Sequence, residues 1–125
     1  RFTPSSDFPR PHVILGVSVV CAPTDDEADY LARPSDLAWV RLHRGEFGLP
    51  LPSPQEAADY PYSAQERVVV DANRLRHFVG SPPRVVGFLR NLTEEADADE
   101  IMVTSPIYGK QERFRSYELL AGAWI

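Results

Sequence analysis

The residues of this 125-residue chain best suited to nucleophilic, acid–base or metal chemistry are one cysteine and three histidines. Cys21 would need a nearby base and a lowered pKa to act as a nucleophile. His12, His43 and His77 lie in three separate segments, and no local spacing brings any of them to it. No histidine has an i+3 or i+4 histidine partner and no Cys/His pair has zinc spacing, so no metal is expected. Cys21 therefore reads as a small buried hydrophobe. His77, between Arg76 and Phe78, reads as the C-terminal group of a helix, where the helix dipole favours positive charge. The hydroxyls are more informative, because Thr24 and the set Thr104, Ser105 and Tyr108 each follow an apolar run that reads as a strand. Ligands of parallel α/β folds sit beyond the C-terminal ends of strands. That rule makes Thr104, Ser105 and Tyr108 the candidate pocket rim, while Thr24 is already explained as a helix cap. Gly80-Ser81-Pro82, at a helix start, makes Ser81 a candidate anion site through free backbone N–H groups.

Composition narrows the classes of function. The chain is 43% hydrophobic and 25% charged, as ordinary globular proteins are, and it is long enough to bury roughly two-thirds of its unfolded surface as one domain over residues 1–125. A net charge of −5 argues against nucleic acid or an anionic membrane as partner. No apolar run approaches the ~20 residues of a spanning helix. A single cysteine excludes an internal disulfide framework and fits the cytoplasm. The chain opens on Arg1 and its sole methionine is Met102, so a start of translation further upstream is expected.

The elements that would position these residues are legible in part. Val13-Ile-Leu-Gly-Val-Ser-Val-Val20 lacks alternation and reads as a strand buried on both faces. Ile101-Met-Val-Thr104 is the second strand. Thr24/Glu27, Ser53/Glu56 and Ser63/Glu66 share the spacing of a capping box, and Pro54 and Pro82 suit a first helical turn. They predict helices near 25–33, 54–60, 64–79 and 82–96, with another over 36–44 closed by Gly45. A last helix carries Phe114, Tyr117, Leu120, Ala121 and Trp124 on one face. The acidic stretch Glu94 to Glu100 reads as a solvated helix end, and Arg84, Arg90, Lys110, Arg113 and Arg115 as solvated faces. The expected fold is α/β: a helix-rich partial (β/α) barrel fragment with about two parallel strands and five to six helices. Two such strands leave hydrophobic open edges. A homodimer through those edges or through helices is the expected remedy, since symmetric dimers are the commonest oligomers.

The chain resembles the bacterial luciferase-like flavin-dependent monooxygenases. The likeness runs through Gly16-Val-Ser-Val-Val-Cys-Ala-Pro-Thr-Asp-Asp-Glu-Ala28, Arg41-Leu-His-Arg-Gly45, Tyr60-Pro61 and Val79-Gly-Ser-Pro82. It is strongest in Ala98-Asp-Glu-Ile-Met-Val-Thr104 and Arg115-Ser-Tyr-Glu-Leu-Leu-Ala121. The resemblance implies the C-terminal portion of a (β/α)8 barrel, namely its last two strands and their helices with a helical insertion between them. It also implies reduced FMN or a deazaflavin as cofactor and a small organic substrate oxidised with dioxygen or by hydride transfer. No segment matches the family's Gly-Ser-Ser-type flavin-phosphate sequence, so no catalytic or flavin-contacting residue is carried over. The isolated chain is accordingly expected to hold no flavin and to be inactive. Two other readings stand beside it: a non-catalytic interaction and oligomerisation domain, and a small module for a phosphorylated ligand resting on Ser81.

Overall fold

The computed structural model describes residues Arg1–Ile125. Three strands and five helices follow one another as β1 (Ile14–Cys21), α1 (Asp25–His43), α2 (Pro54–Asp59), α3 (Ala64–Arg74), β2 (His77–Gly80), α4 (Pro82–Ala96), β3 (Glu100–Thr104) and α5 (Lys110–Trp124). The strands form one parallel sheet in the order β2-β1-β3. The architecture is α/β and has the form of a partial barrel, as expected, but with three strands rather than about two. The added strand lies where a helix over 64–79 was expected. That helix stops at Arg74, and His77 to Gly80 pair with Ser18 to Cys21. Val68 and Leu75, which would share the apolar face of a helix over 64–79, are 67% and 88% exposed.

The caps behave as their spacing predicts. The hydroxyls of Thr24, Ser53 and Ser63 accept the backbone N–H of Glu27, Glu56 and Glu66 at 3.2 Å each. Only Ser63 and Glu66 close the reciprocal box, with the Ser63 N–H donating to Glu66 Oε2 at 2.9 Å. The expected break between helices 25–33 and 36–44 is absent, since α1 runs through a buried Pro34. Tertiary packing there outweighs the one backbone bond that proline removes.

The core has two parts, one on each side of the sheet. Val17, Val19 and Cys21 pack against Val85, Val86 and Leu89 of α4 and Leu120 of α5. On the other side Val20 packs against Ala28, Leu31 and Ala32 of α1 and against Ile107. Side chains so fully buried contribute about 1.5–3 kcal/mol each before entropy. Only the C-terminal half of β1 is covered on both faces, a correction to the expectation for the whole strand. Ile14 is 49% exposed and Gly16 is open, because α1 and Ile107 reach only the Val20 end. The last helix also turns differently from expectation. Ser116, Leu119, Leu120 and Ala123 face the core, leaving Phe114, Tyr117 and Trp124 partly exposed.

Candidate functional site

Parallel strands in register point their paired side chains to the same face. Ser18 is paired with His77 on one side and Thr104 on the other. Thr104, Ser18 and His77 therefore form a polar row across the sheet. Toward the N-terminal end of the strands the same face carries Gly16 beside Met102, the latter 61% exposed. A Cβ on Gly16 would meet nothing within 4 Å, so this face is open.

The row is hydrogen-bonded. His77 Nδ1 lies 2.7 Å from Ser18 Oγ, and His77 Nε2 lies 3.2 Å from Asn73 Oδ1. An amide oxygen can only accept, so this arrangement puts the ring proton on Nε2 and has Ser18 donate to Nδ1. Burial lowers the His77 pKa, and the nearby Arg74 and Arg76 charges lower it further, so the ring is neutral at pH 7. The expected helix-terminal role for His77 is thus replaced by one on β2, clasping β1 to the end of α3. Asn73 is buried, and its Nδ2 has no partner.

The three rim candidates divide. Thr104 and Tyr108 are exposed, and Thr104 makes one long bond, donating to the Val17 carbonyl at 3.4 Å. Ser105 turns inward. Its hydroxyl donates to the Val19 carbonyl at 2.7 Å and its N–H to the Tyr117 hydroxyl at 3.1 Å. Ser116 Oγ sits 3.4 Å from Ser105 Oγ and accepts the Cys21 N–H at 2.9 Å, so this cluster fastens the ends of β1 and β3 to α5. Cys21 is buried among apolar side chains, which raises its thiol pKa and disfavours the thiolate. His43 stacks edge-on to Trp39, and His12 lies 3.1 Å from a Glu100 carboxylate oxygen, so the three histidines occupy separate places.

Ser81 sits at the start of α4 as expected, but the anion at that position is the chain's own Asp25. Asp25 Oδ1 accepts the Ser81 N–H at 2.7 Å and Oδ2 lies 3.4 Å from Arg84. The bonds from Ser81 lower the Asp25 pKa first, and Arg84 adds to the effect. A Cβ on Gly80 would stand 2.9 Å from Arg84 Cδ and 3.0 Å from Asp25 Oδ1, so a larger residue there would displace these two side chains. A cleft of about 600 Å³ opens beside these residues, lined also by His77, Phe78, Arg74 and Phe88.

Two contacts that hold this region together lie outside the reach of sequence reasoning. Arg74 grips the buried Asp36 with Nε at 2.8 Å from Oδ1 and Nη2 at 2.9 Å from Oδ2, joining α3 to α1. Asp99, within the stretch read as solvated, accepts the Val13 N–H at 2.8 Å and so fixes the start of β1 against β3. No spacing signal could have paired residues so far apart in the chain.

No family model matches the chain. It is 37% identical over 124 residues to the uncharacterized protein YceB of Bacillus subtilis, covering 99% of this chain and 37% of that protein. It is 33% identical over 119 residues to a luciferase-like monooxygenase of Escherichia coli, covering 95% of this chain and 35% of the relative. Among solved structures, apo-MsnO8 superposes with a TM-score of 0.85 at 35% identity, over 98% of this chain and 38% of that one. The chain spans a little over a third of the length of the curated relatives it matches. Its homologues thus include a luciferase-like monooxygenase, and it shares the fold of the matching part of apo-MsnO8.

Proposed function

We propose that this chain is the C-terminal portion of a luciferase-like flavin-dependent monooxygenase barrel, with Thr104 and Tyr108 on the rim of its pocket. The observation that carries the reading is the match to apo-MsnO8 across 98% of the chain at 35% identity, together with homology to a luciferase-like monooxygenase. The geometry agrees with it. The strands are parallel, and the face carrying Gly16, Met102, Ser18 and Thr104 is open, as a barrel's inner wall would be without its other strands.

Reduced FMN or a deazaflavin is the cofactor this reading implies, supplying oxygen or hydride chemistry toward a small organic substrate. The residues present do not build a cradle for its phosphate. The helix start at Ser81 gives its N–H to Asp25, and that carboxylate would repel a phosphate. The open sheet face offers room for a flat ring but no charged anchor. On this reading the chain by itself has no monooxygenase activity, and the flavin phosphate is held by a part of the barrel outside residues 1–125.

A second reading is favoured by a separate observation. β3 has an open edge, and Met102 and Trp124 beside it are exposed. The isolated chain would then act as a non-catalytic association domain, forming a homodimer through that kind of surface. The monooxygenase reading is tested by a chimera in which residues 1–125 replace the matching third of the Escherichia coli relative. A folded chimera that binds reduced FMN is expected. A folded, monodisperse chimera that has lost all flavin affinity would contradict the reading.

A further inference from the structure

Between α1, α2 and α3 lies a polar cavity of about 480 Å³ whose walls belong to these three helices and to residues 60–62, with no strand residue among them. Its charged residues are three arginines and three aspartates. Four of these six neutralise one another. Arg74 grips Asp36, and Asp29 lies 3.3 Å from Arg33 and 3.1 Å from Arg74. Arg67 and Asp71, one turn apart on α3, are left over with no ion pair in the chain.

A hydroxyl completes the set. Tyr62 Oη is buried and has no hydrogen-bond partner. Burial first, then the Asp36 charge, push the Tyr62 pKa up to about 12, so the group keeps its proton and is a donor at ordinary pH. The ring is held edge-on to Tyr60 at 4.7 Å between centroids, and the Arg67 guanidinium stands 5.8 Å from its centre. A buried donor without an acceptor is destabilising, and an oxygen entering the cavity would relieve it.

We propose that this cavity binds a free α-amino acid as its zwitterion, the carboxylate taking the Tyr62 O–H and the Arg67 guanidinium and the ammonium facing Asp71. A ligand of one sign would meet a like charge, an anion at Asp71 and a cation at Arg67. Ala57, Ala58 and Val70 form the apolar part of the wall and suit an aliphatic side chain. The site goes beyond the monooxygenase reading and does not depend on it, because no barrel strand lines the cavity.

Calorimetric titration of L-valine and L-leucine into the 125-residue chain tests the proposal. One-to-one binding with a Kd of about 1 mM or tighter is expected, and each ligand should raise the urea midpoint of the chain. Acetate and ethylamine, with one charge each, should bind at least ~10-fold more weakly. Tyr62→Phe removes only an unpartnered hydroxyl, so it should keep the fold and weaken amino-acid binding ~10-fold. Arg67→Gln and Asp71→Asn should each weaken it about 3-fold. No binding heat and no shift of the urea midpoint with either amino acid would overturn the proposal. Full-strength binding in Tyr62→Phe and Arg67→Gln, or acetate binding as tightly as L-valine, would overturn it as well.

Discussion

Replacing Arg74 with methionine would strip a buried carboxylate of its partner. Asp36 is 4% exposed and receives Arg74 through Nε and Nη2 at 2.8 to 3.0 Å, while Nη2 also reaches Asp29 Oδ1 at 3.1 Å. Removing one member of such a pair typically costs about 3–5 kcal/mol, because the other charge stays buried and uncompensated. That is a large share of the ~5–15 kcal/mol that holds a typical domain together. Burial raises the Asp36 pKa even with Arg74 alongside. Arg74, although burial opposes its charge, is held above its ordinary pKa by the bonds and attraction from Asp36 and Asp29. The guanidinium stays charged at any ordinary pH, so the pH response of the pair is that of Asp36. With a folded pKa above the unfolded 3.8, the folded state binds the proton more tightly. The contribution of Asp36 to stability therefore rises as pH falls through its folded pKa, and Arg74→Met should widen that window upward. The double variant Asp36→Leu/Arg74→Met should return to within about 1 kcal/mol of the parent. Urea denaturation of the parent and the two variants between pH 5 and 8 reads each of these quantities. A cost below about 1 kcal/mol for Arg74→Met at pH 7, or a double variant no better than the single, would refute the reasoning.

Leu89, 1% exposed between α4 and the sheet, should cost about 2–5 kcal/mol on truncation to alanine, as measured by the same denaturation. Loss of less than 1 kcal/mol would mean that α4 does not cover β1 as described. His77 carries a pH effect of opposite sign to that of Asp36. Burial, then Arg74 and Arg76, lower its pKa, so the unfolded chain takes up the proton first as pH falls below about 6.5. Thermal melts should show stability lost from pH 7.5 toward 5.5 in the parent, with a shallower slope in His77→Gln; equal slopes would remove His77 from the account.

Helix starts were the most legible part of the fold, because a cap is a local contact between residues three apart. Thr24, Ser53 and Ser63 show this directly. The two longer strands were legible from their β-branched runs, and their parallel pairing followed. β2 was not, since Phe78 and Val79 offer too few apolar residues to separate a strand from the end of a helix. Its pairing with β1 and the clasp from His77 to Ser18 link residues 59 apart, and such long-range contacts decide the matter. The same limit applies to the site. That Thr104 ends β3 and Tyr108 follows it was legible from the apolar run before them, but the inward turn of Ser105 depends on the Val19 carbonyl and on Tyr117. Ser81-Pro82 marks a helix N-terminus locally, while its occupant, Asp25, comes from 56 residues earlier in the chain.

If this chain is, as proposed, one part of a luciferase-like flavin barrel, it should not hold the cofactor by itself. Titrating FMN into the purified 125-residue chain, followed by visible absorbance and flavin fluorescence, tests it most directly. No stoichiometric binding is expected at micromolar concentration, because the one glycine–serine helix start is filled by Asp25 and the sheet face is open. One-to-one binding with a micromolar Kd would contradict it.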